Sequence, residues 1–525
     1  MVKVAKYAHD DASVVVIVGS GAGGGVLANE LAQRGVKVVC LEAGPRLLPE
    51  DYINDEWDSF AQLSWGEPRS TSGSWRVATD FPDLPAWIVK AVGGTSIHWA
   101  GASLRVQEHE FKALSTYGHV DGANLLDWPI TRADLDPYYD LAEKKLGVTR
   151  TNNFPGLPGN NNYKVLEKGA KASGYKEVST GHMGINSVEN DDRPACQQTG
   201  FCFQGCKWGA KWSAAYTDIP KGEATGLLEL RDQCRATRIE HDDKGRATGV
   251  RYIDKDGKEQ FQKARVVCVA GNSIESPRLL LASASEMFPD GLANSSGQVG
   301  RNYMRHTIGS VFAVFEKPVK FWRGTIMAGI VQDEVGHDPK RGYVGGYEME
   351  TISLGLPFTA AFVNPGGWGR SFTSILDDYD KLAALWIVGE DMPQETNRVT
   401  LNHAVKDKFG QPVANVHYDD HPNDLAMRAH AFAAGEKIYR AAGAVRTIPV
   451  PPYPSTHNLG TNRMSENPRD GVVDKWGRTH DVPNLFVSDG SVFTTSAAEN
   501  PTLTIVSLAI RQAEHIAGAL QKNAL

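Results

Sequence analysis

Residues 14–18, VVVIV, form an unbroken β-branched run, the pattern of a strand buried on both faces of a parallel sheet. The period then changes. After GSGAGG, apolar positions recur at helical spacing through Leu27, Leu31 and Ala32 and stop at Gly35. A second apolar run, VKVVCLEAG, returns to the strand pattern and ends at Glu42. Much further along, ARVVCVA (264–270) and PNLFVSDGS (483–491) each read as a strand entering a turn, and a helical pattern starts near Pro501. Between residues 311 and 454, YVGGYEME, TAAFVNPGGWG and ALWIVGEDM read as strands or strand edges. The stretch NNFPGLPGNNNY (152–163) reads as the least ordered part of a loop-rich segment.

The first of these patterns carries chemistry. Gly19, Gly21 and Gly24 make G-x-G-x-x-G between a strand and a helix, and Glu42 follows Gly21 by 21 residues. Such glycines permit a tight turn and bring backbone close to a pyrophosphate, which faces the helix N-terminus. An acid at the second strand end can accept from a ribose hydroxyl. A dinucleotide site is expected; the motif alone leaves NAD and FAD open.

Composition narrows the partners. A chain of 525 residues with 41% hydrophobic and 22% charged residues suits a soluble protein of several domains. Net charge is −7 and no dense Lys/Arg block occurs, so nothing favours nucleic acid or an anionic membrane surface. Residues 1–13 show no apolar leader core and no twin arginine, and no apolar run reaches the ~18 residues of a membrane span. By this chain alone the expected setting is cytoplasmic, without membrane insertion; a partner could carry it to the periplasm.

Three more blocks decide the dinucleotide: VGGTSIHWA (92–100), AGNSIESPRLL (270–280) and the C-terminal stretch 483–516. With DWPITRADLDPYYDLAEKKLGV (127–148), LANSSGQVGRNYMRH (292–306), ETNRVTL (395–401) and HNLGTNRM (457–464), the chain resembles the glucose–methanol–choline (GMC) flavoprotein oxidoreductases nearly end to end. The resemblance implies an α/β fold with a Rossmann-like FAD domain built from residues 1–110, 220–310 and 455–525. Residues 111–219 would be an inserted loop-rich segment, and 311–454 a substrate domain with an antiparallel sheet. It places Asp489 and Gly490 at the pyrophosphate and Asn500 and Thr502 at the flavin ring, with Gly93, Gly94 and Ala236 also against the cofactor. His98 matches the histidine that carries flavin covalently in fungal pyranose oxidases; a covalent bond and simple packing near the flavin both stay open.

Alcohol oxidation by a flavin takes a hydride from the carbinol carbon, so a base must remove the hydroxyl proton. His457 heads the family's H-x-x-G-T block and is the expected base. The partner position falls on Asn500, whose amide can hold the substrate oxygen; Asn500 can equally cap the helix that follows.

Cys196, Cys202 and Cys206 form C-x5-C-x3-C in CQQTGFCFQGC. No fourth cysteine lies close and no histidine occurs between 184 and 240, which argues against a local zinc site. A disulfide would leave one thiol over. Three thiolates suit a [3Fe–4S] cluster; a structural turn, another metal or a disulfide remain the alternatives. Cys40, Cys234 and Cys268 read as packing residues. The large subunits of bacterial FAD-dependent glucose, fructose and gluconate dehydrogenases are similar here, although Ala195, Gln197 and Lys207 depart from their flanking pattern. That similarity implies a cytochrome c acceptor and a small chaperone-like subunit carrying the export signal. The functional expectation is an FAD-dependent dehydrogenase acting on a sugar, glycoside or polyol. A pyranose- or glycoside-type oxidase reducing O2 is the alternative. A nicotinamide-linked enzyme, or a nucleotide-binding module with a zinc knuckle, runs against the C-terminal flavin blocks.

Overall fold

A computed structural model describes residues 6–64, 69–82, 84–306 and 309–525. The leader reading of residues 1–13 therefore falls, for 1–5, outside the described residues.

The β-branched runs pair as a five-stranded parallel sheet in the order Leu485–Val487, Val266–Val269, Val15–Val18, Val38–Leu41, Leu228–Arg231. Val15, Val16 and Ile17, Val38 to Cys40, and Val266 to Val269 are all fully buried, which explains why these strands carry no polar alternation. Cys40 and Cys268 sit inside them as packing residues. Helix Ala22–Gln33 follows the first strand and packs against the C-terminal helix Thr502–Gln521. Val15–Val18 is central, with the next strand in sequence on one side and Val266–Val269 on the other. The chain order reverses there, and ligands of open α/β sheets bind outside the strand carboxyl ends at such a reversal.

A second sheet has six strands, wholly antiparallel, in the order Arg446–Val450, Gly309–Val314, Leu382–Gly389, Tyr347–Thr351, Ile330–Val331, Val178–Ser179. The strand pairing puts Glu350 opposite Trp386 and Glu348 opposite Val388. Two three-stranded sheets complete the fold; in one, Ser70–Ser72 pairs in parallel with Pro412–His417, joining the N-terminal third to the C-terminal half. Among the described residues, no helix is long and apolar enough to cross a membrane.

Two sequence expectations need correction. TAAFV, read as a strand edge, lies in helix Leu356–Val363, and only NPGGWG after it is irregular. Pro357 sits in its first turn, where a proline loses no hydrogen bond, and alanine, leucine and phenylalanine accept helix when tertiary packing favours it. NNFPGLPGNNNY is not loop throughout. Asn160 caps helix Asn161–Ala172 through its side-chain oxygen, which accepts from the Tyr163 N–H at 2.9 Å. Asn162 is buried and donates to the carbonyls of Ile352 and Ala384, pinning the helix to the antiparallel sheet.

Candidate active site

At the carboxyl ends of the parallel strands lies a cleft enclosing about 1250 Å³, its mouth included. Gly19, Gly21, Glu42, Gly94, Ala236, Asp489, Gly490 and Thr502 all line it. Gly24 and Gly93 do not; they let the walls approach. A Cβ on Gly24 would lie 2.0 Å from the Gly19 carbonyl oxygen, and one on Gly93 2.7 Å from the Ala215 methyl. Gly23, which the motif leaves unassigned, is tighter still, with a Cβ meeting the Ser488 carbonyl oxygen at 1.8 Å. The only sequence signal for it is the surplus glycine in GAGGG.

The acids of the cleft are tied down. Glu42 accepts from the Ser20 N–H and hydroxyl and from the Gly44 N–H, while burial raises its pKa. Asp489 accepts from the hydroxyls of Ser276 and Ser491 and from two backbone N–H groups, those of Asn272 and Ser491. Two helix N-termini, at Ala22 and Thr502, open onto the same space. A long cleft with an unblocked glycine turn, a carboxylate just past the second strand end and two helix N-termini fits FAD.

A smaller cavity of about 470 Å³ shares Thr95, Thr456, His457 and Thr502 with the cleft. It adds His98, Asn500 and Trp386, so His98, His457 and Asn500 come together from three distant parts of the chain. The His98 ring stacks on Trp87 at 4.2 Å, and both ring nitrogens are buried without a hydrogen-bond partner among the described residues. Burial, reinforced by the Lys211 ammonium, pushes its pKa down to about 3. Burial pushes His457 down to about 4, so its imidazole is neutral at pH 7.

His306 is the neighbour that sequence reading missed. Its Nδ1 lies 3.1 Å from Nδ1 of His457. Two Nδ1 atoms can share only one proton. His306 Nε2 is buried without a hydrogen-bond partner among the described residues. In the tautomer with His457 Nδ1–H as donor and His306 Nδ1 as acceptor, His457 Nε2 is the basic nitrogen. His306 was in view as the last residue of LANSSGQVGRNYMRH, but nothing in that block points to His457.

Asn500 is held by residues that the sequence did not single out. In the amide orientation its neighbours require, the nitrogen donates to Glu350 Oε1 at 2.8 Å and Glu348 Oε1 at 3.0 Å. Both glutamates are buried at 1% exposure or less. Burial raises Glu350 to about 8 and Glu348 well above the carboxylate range, Glu348 further because Glu350 is beside it. With both carboxylates ionised, the amide N–H groups would be spent on them. A protonated Glu350 can instead donate to the amide oxygen and release an N–H toward the cavity.

The pair also makes a stability prediction. A carboxyl whose folded pKa is raised binds its proton more tightly folded than unfolded, so stability falls as pH rises from about 4.5 to 8. Above pH 7 the buried histidines are neutral in both states and add little slope. The melting temperature should therefore drop between pH 7 and 8, and Glu350→Gln should flatten that drop by removing up to about 1.4 kcal/mol per pH unit. Thermal melts of both proteins across this range check it; parallel curves would mean that Glu350 is already ionised.

Cys196, Cys202 and Cys206 line one further hollow enclosing about 420 Å³, its mouth included, and all three are free thiols. Burial raises Cys202 to about 12, partly offset by Lys211. Lys211 is itself buried, and its ammonium donates to the carbonyls of Ile97, Trp99 and Cys202 at 2.6 Å each. The short helix Cys202–Gln204 separates the two sites, with Cys202 lining the thiol cavity and Phe203 the cavity of His457. The donor set, three thiols around one space beside a buried cation, fits a cluster held by three thiolates.

Residues 16–308 and 393–509 match the N-terminal and C-terminal parts of the GMC oxidoreductase family. A 2-methyl-1,2-propanediol dehydrogenase of Mycolicibacterium austroafricanum is 33% identical, over 96% of this chain and 95% of its own. The fructose dehydrogenase large subunit of Gluconobacter japonicus is 30% identical, over 97% and 98% respectively. Among solved structures, an Aspergillus oryzae formate oxidase superposes with a TM-score of 0.66 at 16% identity, covering 99% of this chain and 100% of the oxidase. The glycine cleft, the continuous histidine cavity and a family match spanning most of the chain lead to one assignment: this protein belongs to the GMC oxidoreductase family and is an FAD-dependent enzyme.

Proposed function

We propose that this protein oxidises a secondary alcohol of a sugar, glycoside or polyol to the ketone or lactone, and passes the electrons through an iron–sulfur cluster to a carrier such as cytochrome c. The observation that carries the reading is the cavity that joins His457 and Asn500 to the FAD cleft. A relative named for dehydrogenation of fructose supports a sugar as substrate, and one named for a methylated propanediol, whose oxidisable hydroxyl is primary, supports alcohol oxidation in general.

FAD, when bound, supplies the hydride acceptor. His457 takes the hydroxyl proton at Nε2, because His306 occupies Nδ1. Asn500 orients the substrate oxygen through its amide, and the buried Glu348–Glu350 pair governs which amide atom faces it. Trp386 and Phe203 supply apolar cavity wall and keep water away. Cys196, Cys202 and Cys206 would hold the cluster, whose contribution is one-electron transfer to an acceptor.

Anaerobically purified protein is expected to contain about three irons per FAD and acid-labile sulfide, with an EPR signal in the oxidised state. Cys206→Ser should lose the iron and keep the flavin. Flavin without iron in a sample never exposed to air would remove the cluster from the proposal and make O2 the acceptor to test.

A further inference from the structure

Behind Asn500 lies a second group of buried side chains that the alcohol chemistry does not use. Glu110, Glu390 and Glu499 are 0%, 2% and 0% exposed. Glu110 accepts from the N–H groups of Gln107 and Ala498, Glu390 from the Tyr117 hydroxyl and the Gly346 N–H, and Glu499 from the Gln107 amide. Among the described residues, no lysine or arginine hydrogen-bonds or ion-pairs with any of the three. Oε2 of Glu499 is buried without a partner when both acids are ionised, and the Glu110 carboxyl lies close enough to Glu499 to share a proton with it. Three carboxyls in such a place need protons or a cation.

His109 favours the cation. Its Nε2 is buried and unpartnered. One ring nitrogen of His109 and one oxygen each of Glu110 and Glu390 lie within 4.8 Å of one another, yet His109 hydrogen-bonds to neither carboxylate. A metal with N and O ligands at about 2.0–2.2 Å holds neighbouring donors about 3–4 Å apart, wider than a hydrogen bond and within this spacing. One imidazole with carboxylates suits a first-row transition cation; all-oxygen cages suit calcium or magnesium.

We propose that His109, Glu110 and Glu390 form a binding site for a divalent transition-metal cation of the Zn²⁺ or Mn²⁺ type. The ion would tie two separate segments: the one holding His109 and Glu110, and the end of strand Leu382–Gly389. Its place is structural, fixing the Glu110 carboxyl that accepts from the Ala498 N–H in the turn leading to Asn500, and it does not depend on the alcohol or cluster readings.

The test uses tag-free, FAD-loaded protein treated with chelator, desalted, and titrated with Zn²⁺ and separately with Mn²⁺. Bound metal is counted after gel filtration and melting is followed in parallel. The expected result is one equivalent of either metal and a raised melting temperature. In both His109→Ala and Glu390→Gln, affinity should fall by about tenfold or more while flavin content is unchanged. Glu390→Gln keeps the side-chain shape and carries the test should the alanine variant fail to fold. Protein that takes up neither metal overturns the proposal. So does an equivalent that persists in both variants, which would place the metal elsewhere, the three cysteines first.

Discussion

Replacing His457 by alanine is expected to leave FAD bound and to slow flavin reduction by the alcohol about 100-fold or more, the scale of losing a general base. The change corresponds to about 2.7 kcal/mol of transition-state stabilisation. Binding should persist because the cofactor cleft rests on the glycine turn and the two helix N-termini, with His457 at only one end of it. In the intact enzyme the acid limb of flavin reduction should fall near pH 4, where burial places His457, and well below the ordinary histidine range. Stopped-flow bleaching of the flavin under anaerobic conditions reads both quantities. Near-normal reduction in the alanine variant would remove His457 as the base, and an acid limb at pH 6.5 would mean that its environment changes once substrate is present.

Gly24→Val should abolish the FAD-loaded protein altogether. Its Cβ would lie 2.0 Å from the Gly19 carbonyl oxygen and 2.9 Å from the Ala270 methyl. Neither can retreat: Gly19 has φ +100° at the end of the central strand, and a Cβ placed there would itself meet the Ala270 carbonyl at 2.3 Å. The variant should be insoluble or colourless. Gly21→Ala makes the contrast. The nearest atom to its Cβ is 3.9 Å away and its φ is −68°, so the fold accepts the methyl. The methyl group intrudes only on the space left for the cofactor. That variant should melt like the parent without FAD yet bind FAD about tenfold or more weakly, a cost of about 1.4 kcal/mol. Flavin absorbance per chain and a melt of the apoprotein separate the two cases. A Gly21→Ala protein with undiminished flavin would show that the turn does not touch the cofactor.

The cleft was legible in sequence because its parts are local: strand, glycine turn, helix and acid occupy residues 14–42 as one continuous signal. The catalytic cavity was legible only in part. His457 and Asn500 stood out through the resemblance to a family, whereas His306, Glu348 and Glu350 did not stand out at all. The alternation in YEMET puts Glu348 and Glu350 on one face of a strand, as any period-two pattern does. Which partner that face would meet was beyond local reasoning, since Asn500 lies 150 residues away from Glu350. Two glutamates in an otherwise apolar strand read as solvated until the sheet is seen to be buried on that side.

TAAFV went wrong for a related reason. A short apolar run suits helix and strand equally, and packing chose the helix. By itself, then, the sequence determined the parallel sheet and the glycine turn, because hydrophobic period and glycine placement act over a few neighbouring residues. Only the tertiary structure decided which nitrogen of His457 faces His306, what holds Asn500, and that His109 lies beside two buried carboxyls. Those depend on the electrostatics of groups brought together from opposite ends of the chain, where removal from water, more than residue type, sets who carries the proton.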